Sequence, residues 1–287
     1  MNTKILTLLS ITCLLSPLVL ADDDRFKDVA ITPQQLTPTS YMFSGAGGNI
    51  GVSAGKDGIL IIDNQFAPLA DKISAALSKI QAGAPKYVVN THYHGDHTGG
   101  NDHFGMSGII LAHHNVLKRL SSNTNYTHSA LPSITYHEGT TIHINDDSLQ
   151  LLHMGPGHTD GDSVVLWDDQ SVVHMGDLFF KDRYPYIDLK AGGSVEGYRD
   201  NVATIIDKIG PKTKVIPGHG ELANRNDLVR FKQMLDGSIA WMERQLSDGL
   251  TLEQIQEKRL PKQWQGWGWS FISEEKWIAT LYKGLKG

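Results

Sequence analysis

A short apolar stretch, Lys86–Val89, runs directly into NTHYHGDHTGGN, Asn90–Asn101, which packs three histidines and an aspartate into the six residues His92–His97. The stretch before it reads as a short β-strand. The run itself reads as a metal site, because imidazole is the commonest zinc ligand at neutral pH and carboxylates join it in catalytic centres. In extended chain, residues two apart point the same way, so His92 and His94 can grip one ion while Tyr93 faces elsewhere. Asp96 and His97, at the turn beyond, address a neighbouring position. Gly95, Gly99 and Gly100 let the backbone fold tightly around them. Taken alone, the run could also be a surface histidine patch or a stack of helix-capping residues.

It does not stand alone. All 13 histidines fall between His92 and His219, and three later Gly-rich turns each follow a strand-like run. MGPGHTDGD presents His158, VVHMGDLFF presents Asp177 and VIPGHGEL presents His219. Loops at strand ends are where rigid scaffolds present catalytic groups.

The rest of the pattern is mixed. Short strands are expected at Tyr41–Phe43, Asn49–Ser53, Ile59–Ile62, 108–112, Thr140–Ile144, Ser148–His153 and 212–217, with a hairpin of Ser163–Trp167 and Ser171–His174. Helices are expected over Pro68–Ala82, Asn115–Leu120 and Val195–Ile209, and along the apolar stripe Leu228, Phe231, Leu235, Ile239, Met242 and Leu246. Thr251–Gln254 is a capping-box signature for another helix. Such mixing implies layered sheets covered by helices. Residues 22–40 read as an extended lead-in. Residues 222–287 read as a helical, histidine-free extension bearing Trp241, Trp264, Trp267, Trp269 and Trp277. These tryptophans serve as hydrophobic glue; the competing reading is that WQGWGW lines the mouth of a substrate pocket.

The opening MNTKILTLLSITCLLSPLVLADDD has one lysine, an apolar run and a small-residue cleavage site at Ala21. It reads as a secretory signal peptide over residues 1–21, interrupted too often for a retained membrane anchor. Its removal takes away Cys13, the only cysteine, and with it disulfides, thiolate metal sites and cysteine nucleophiles. It also takes Lys4, moving the formal charge from -5 to -6, which argues against a nucleic-acid partner. The expectation is a periplasmic or secreted chain, with no stable membrane insertion and no oligomeric state assigned. The Gly-rich GAGGNIG at 45–51 runs into a strand rather than opening a helix, so it is not a dinucleotide loop.

Four ligand-bearing loops in this order, with T-H-x-H-x-D-H-x-x-G at Thr91–Gly100, resemble the metallo-β-lactamase superfamily over about residues 41–220. The resemblance implies an αβ/βα four-layer sandwich over residues 22–221, followed by the short helical tail. It also implies a ligand set for two zinc ions, with iron or manganese as alternatives. His92, His94 and His158 would hold the first ion, Asp96, His97 and His219 the second, and Asp177 would bridge them together with a hydroxide. Asp96 would also orient that nucleophile. Two subclasses of β-lactamase in the family place Cys or Ser where Asp177 stands, so the ligand set is more similar to glyoxalase II, lactonases and alkylsulfatases. The implied activity is hydrolysis of an ester, thioester, lactone or amide-type bond in a small molecule. A β-lactamase is the alternative, as is a periplasmic zinc-binding protein without catalysis. Just beyond Asp177, Lys181, Arg183 and Lys190 are the expected contacts for a substrate carboxylate and Tyr184, or alternatively Tyr186, the expected apolar wall; Phe66, at a strand end, is the expected opposite lip. His174 and His113 are the expected supports of the ligands.

Overall fold

The structure is a computed structural model that describes residues 24–286 apart from Asn125 and Gln170. The expected leader lies outside the described residues. No helix among the described residues is long and apolar enough to cross a membrane.

Seven strands cross the first sheet in chain order: β1 Thr32–Gln35, β2 Ser40–Ser44, β3 Ile50–Gly55, β4 Gly58–Ile62, β5 Pro85–Asn90, β6 Ile109–His113 and β7 Ile134–Tyr136. Pairing is antiparallel from β1 to β4 and parallel from β4 to β7. The connections of the parallel half carry α1 Ala70–Ser78, α2 Gly95–Thr98, α3 Asn101–Phe104 and α4 His114–Ser121. The second sheet contains β8 Gly139–Ile144, β9 Asp147–Leu152, β10 Val164–Trp167, β11 Val172–His174, β12 Lys214–Ile216 and β13 Ala223–Asn224, ordered β13-β12-β11-β10-β9-β8. It is antiparallel except for β11 and β12, between which α5 Val195–Lys208 crosses over. Three further helices close the chain: α6 Arg225–Ser247, α7 Leu252–Lys258 and α8 Glu274–Lys286.

The two-residue period of a strand explains how the central strands of both sheets bury both faces. In β4, Leu60 and Ile62 point at the other sheet, where they meet Val165 and Trp167 of β10. Ile59 and Ile61, one residue out of phase, pack under Ile73 and Leu77 of α1. Val164 and Leu166 of β10 likewise face outward, into Val202, Ile205, Phe231 and Leu235 of α5 and α6. The architecture is therefore the four-layer αβ/βα sandwich expected from the sequence.

Two boundaries differ from the expectation. The lead-in contributes β1, an exposed edge strand in which Pro33 loses no ladder hydrogen bond that an edge requires. The boundary after residue 221 falls inside the second sheet, because Ala223 of β13 pairs with Val215 of β12. The helices beyond share one hydrophobic cluster with α5 and the sheet, with Trp241 and Trp277 buried in it. Geometry accounts for this. Six strands spaced ~4.8 Å apart present a face about 24 Å wide, and a single helix covers only ~10 Å of it. Asn224 and Asp227 form a capping box that starts α6, and Thr251 and Gln254 form the one expected for α7.

Candidate metal centre

Each candidate ligand follows the end of a strand. His92 and His94 come just after β5, and Asp96 and His97 sit in α2. His158 lies in the β9–β10 loop, Asp177 in a single helical turn after β11, and His219 after β12. Folding gathers them into two groups, His92, His94, His158 and Asp177, and Asp96, His97 and His219. Within each group, one ligand atom per residue lies within 4.8 Å of the others. His94 Nδ1 is 3.1 Å from His92 Nε2 and 2.9 Å from His158 Nε2. Asp177 joins the groups: Oδ2 is 3.5 Å from His158 Nε2, and Oδ1 is 3.1 Å from His97 Nε2 and 3.4 Å from His219 Nε2. Asp96 Oδ2 lies 3.3 Å from His219 Nε2.

The outer nitrogens show what the inner ones are for. His97 Nδ1 donates to Asp63 Oδ2 at 2.7 Å, and His158 Nδ1 to the Tyr186 carbonyl at 2.7 Å. His94 Nε2 faces Asp188 Oδ2 at 3.2 Å, and His92 Nδ1 faces Thr91 Oγ1 at 3.1 Å, which itself donates to Asp63. With the outer nitrogen of these four rings engaged, the inner nitrogen is the one free to turn to a metal, the arrangement typical of metal-ligating histidine. Two inward-facing atoms, His97 Nε2 and Asp177 Oδ1, are buried and, although 3.1 Å apart, make no well-aligned hydrogen bond with each other or with any other group among the described residues. Buried polar atoms are rarely left so, and a cation between them satisfies both. The donor set fits divalent metal.

Electrostatics agree. Burial disfavours charge on His92, and it pulls the His158 pKa down to about 4 although Asp177 opposes it, so both rings are neutral donors. At the other group burial is overcome: Asp177 and Asp96 lift His219 to about 9 and His97 well above its ordinary value. Protons there balance the carboxylates where a cation would. Asp177 is held far below the usual carboxylate range despite burial, by His219, His97 and His158. Two glycines permit the close packing. A Cβ at Gly218 would sit 2.0 Å from Asp177 Oδ1, and one at Gly48 2.2 Å from His97 Cε1. Gly48 belongs to the GAGGNIG run, whose purpose is thus to let the β2–β3 loop lie against the centre.

The centre forms the floor of a cavity of about 660 Å³ walled by Phe66, Tyr93, Phe180, Tyr186, Trp269 and Phe271. Phe66 lines this cavity, whereas Lys181, Arg183, Lys190 and Tyr184, also expected beside the substrate, are not among its lining residues. Tyr184 is fully buried, stacked on Trp277, with its hydroxyl donating to the Trp264 carbonyl. Tyr186, two residues on, lines the cavity in its place. Lys181 Nζ donates to the Leu222 carbonyl, and the Arg183 guanidinium lies over the Trp269 ring. Within the tryptophan run, Trp264 and Trp267 pack on the helical cluster, and Trp269 also walls the cavity.

Sequence reasoning missed the groups that hold the ligands. Asp63 accepts from Thr91 N, Thr91 Oγ1 and His97 Nδ1. Asp162 accepts from Thr159 N and Oγ1, bracing the turn that carries His158, and burial lifts its pKa to about 7. Asp188 binds the Tyr93 hydroxyl and His94. Their only local signals were an acid ending the apolar run GILII and a second acid in GHTDGD. Of the two expected supports, His174 accepts from Gly176 N beside Asp177, whereas His113 stacks on His153, with ring centroids 3.8 Å apart, and touches no candidate ligand.

His113 yields a separate expectation. Burial, then His153 and His137, pull its pKa down to about 4 from 6.5. Between those values the unfolded chain binds a proton that the native chain refuses, so this residue makes stability fall as pH drops through that window. His113→Asn, which keeps a helix-capping side chain, should flatten the fall of Tm between pH 6.5 and 4. An unchanged slope would contradict this.

Comparison with known proteins completes the picture. The human acyl-coenzyme A thioesterase MBLAC2 is 26% identical over 168 residues, which is 48% of this chain and 57% of that protein. The Bacillus cereus metallo-beta-lactamase type 2 is 25% identical over 149 residues, 52% of this chain and 57% of that one. The chain thus matches little more than half the length of these curated relatives. Among solved structures, the metallo-beta-lactamase from Pontibacter korlensis superposes with a TM-score of 0.63 at 16% identity, covering 72% of this chain and 99% of its own. The stereoselective inverting sec-alkylsulfatase Pisa1 from Pseudomonas sp. gives 0.72 at 14% identity, covering 90% of this chain and 50% of its own. A share of 90% cannot be reached without the C-terminal helices, so the fold likeness extends into them. The profile of the Metallo-beta-lactamase superfamily matches residues 47–219, from the glycine loop over the centre to its last candidate ligand. By that match, which takes in more than half of its residues and all seven candidate ligands, the chain belongs to the metallo-beta-lactamase superfamily.

Proposed function

We propose that the chain is a two-metal hydrolase that cleaves an ester, thioester, lactone or amide-type bond in a small molecule, exported to the periplasm or beyond. The observation that carries this reading is the convergence of five imidazoles and two carboxylates on the floor of an open aromatic cleft, with Asp177 facing both groups. His92, His94 and His158 would hold one cation, Asp96, His97 and His219 the other, and zinc suits these donors. Bound cations supply Lewis acidity toward a carbonyl oxygen and acidify water at neutral pH. Asp96 lines the cleft, where its carboxylate orients the attacking water and accepts its proton. Tyr93, Tyr186, Phe180 and Trp269 exclude bulk water and position the substrate. Asp188 and Asp63 keep His94 and His97 in the tautomers that face the floor.

The likeness to named β-lactamases supports a β-lactam as second substrate class. Against it, a β-lactam antibiotic carries a carboxylate beside its ring, and no lysine or arginine is among the residues lining the cleft.

The test is elemental analysis of zinc-saturated protein with a panel of esters, thioesters, lactones, phosphodiesters and β-lactams. Two ions per chain and chelator-sensitive cleavage of a carbonyl-type bond are expected. At most one ion, or cleavage of nucleic acids alone, would overturn the reading. With the best substrate, Tyr186→Ala should raise KM by roughly tenfold, equivalent to ~1.4 kcal/mol of lost contact. Tyr184→Phe should leave KM unchanged and lower stability by about 1 kcal/mol, the worth of its buried hydrogen bond. The reverse pattern would put Tyr184, not Tyr186, in the cleft.

A further inference from the structure

Beyond the aromatic wall lies a second cavity, of about 410 Å³, whose lining shares Tyr186, Asp188 and Phe271 with the first. The two are neighbouring compartments divided by a ridge of Tyr186 and Phe271, whose rings meet edge to face at 5.4 Å. Phe271 is half-exposed, and its ring lines both cavities. The outer compartment has an apolar base that includes Leu189, Ile272 and Ala279, and it carries three lysines, Lys190, Lys276 and Lys283. Lys276, Ala279, Thr280 and Lys283 recur at helical spacing, so one face of α8 forms a wall ~10 Å long.

Charge distinguishes the compartments. The inner cleft is lined by Asp96, Asp177 and Asp188 and by no lysine or arginine. The outer one gathers three cations in a chain whose formal charge is -5. Lys190 and Lys283 form no ion pair among the described residues, and the Lys276 ammonium reaches only the Phe271 carbonyl and ring face. The carboxylate of Asp188, the acid common to both cavities, is engaged by Tyr93, His94 and the Ala191 amide.

We propose that the outer cavity is a distal subsite for the anionic end of the substrate. The substrate would be a bipartite molecule: a reacting carbonyl over the metal centre, an apolar segment across the Tyr186–Phe271 ridge, and a phosphate, sulfate or carboxylate among the three lysines. This rests on the hydrolase reading for the reacting end only; the anion site stands on its own geometry. It assigns the C-terminal helix a role in recognition besides covering the sheet.

The test titrates zinc-loaded protein with octyl phosphate, octyl sulfate, octanoate and neutral octyl glucoside, followed by tryptophan fluorescence, with Trp269 beside the path. The variant is Lys190→Gln/Lys276→Gln/Lys283→Gln, whose changes are all on exposed side chains. The parent should bind at least one anionic probe more tightly than the neutral one, increasingly so at low salt. The variant should bind that probe at least ~10-fold more weakly, lose the salt dependence and keep its affinity for the glucoside. The ranking of the three heads identifies the anion. Equal affinity of parent and variant for every anionic probe would overturn the proposal, since the heads would then be held by the metals or not at all. Hydrolysis separates this from failure of the parent reading. A neutral ester cleaved equally by parent and variant leaves the hydrolase intact whatever the titration gives, and no cleavage of any ester leaves the titration to decide the subsite.

Discussion

Asp177→Ser should retain one tightly held zinc, bind the second at least ~10-fold more weakly and lose most of its turnover at limiting zinc. The side chain is 5% exposed and turns one oxygen to each group of histidines. Serine reaches neither position as an anion. Only two of the seven candidate ligands bear negative charge, Asp96 and Asp177, so in the proposed two-metal centre the change would remove half of the protein charge that offsets two neighbouring dications. In that proposed centre the first cation would keep His92, His94 and His158, and the second would keep Asp96, His97 and His219 against greater repulsion. The fold should survive, because the residue sits in a turn after β11 rather than in a packed layer. Calorimetric titration of zinc into the metal-free variant is the measurement. Two sites as tight as the parent's, with unchanged turnover, would remove Asp177 from the bridge.

The second large effect is expected at a residue that need touch no metal. Asp63 is fully buried and accepts three hydrogen bonds, from Thr91 N at 2.8 Å, Thr91 Oγ1 at 2.7 Å and His97 Nδ1 at 2.7 Å. It also has φ 64°, a left-handed conformation that aspartate and asparagine tolerate better than other side chains. Asp63→Ala strands three buried donors and strains the backbone, and should cost ~3–5 kcal/mol, the usual range for breaking a buried charged network. For a domain of this size that is roughly a 6–20 °C fall in Tm. Asp63→Asn keeps the backbone preference and one acceptor, so it should recover most of the stability. It should still weaken metal binding by ~10–100-fold, because His97 is no longer held by a carboxylate. Variants that lose stability and metal affinity in the same proportion would show that Asp63 is a structural prop only.

The candidate ligands in NTHYHGDHTGGN were legible in the sequence because four of them lie within six residues, where strand and turn periodicity alone decide which can share an ion. The strands were legible for a similar reason. Runs such as GILII and VVLW are apolar at every position, which is what a strand buried on both faces requires. His158, Asp177 and His219 were different. Each stood out only as a potential ligand on a Gly-rich turn, and their common destination came from resemblance to a family, not from spacing.

What the tertiary structure alone decided is which distant groups meet. Asp188 and His94 are 94 residues apart, and Asn49 holds the Pro217 carbonyl across 168 residues. No local pattern encodes such pairings, because they depend on which strands become neighbours. The phase of a loop is equally invisible: Tyr184 and Tyr186 look interchangeable in sequence, yet one enters the helical core and the other walls the cleft. The extent of the C-terminal helices was readable from their apolar stripe, but their necessity was not. They are needed because a six-stranded sheet leaves an outer face wider than α5 can cover. Having been folded there, α8 carries Lys276 and Lys283 to the far side of the Tyr186–Phe271 ridge, a placement set by packing over the sheet and by nothing in the local sequence.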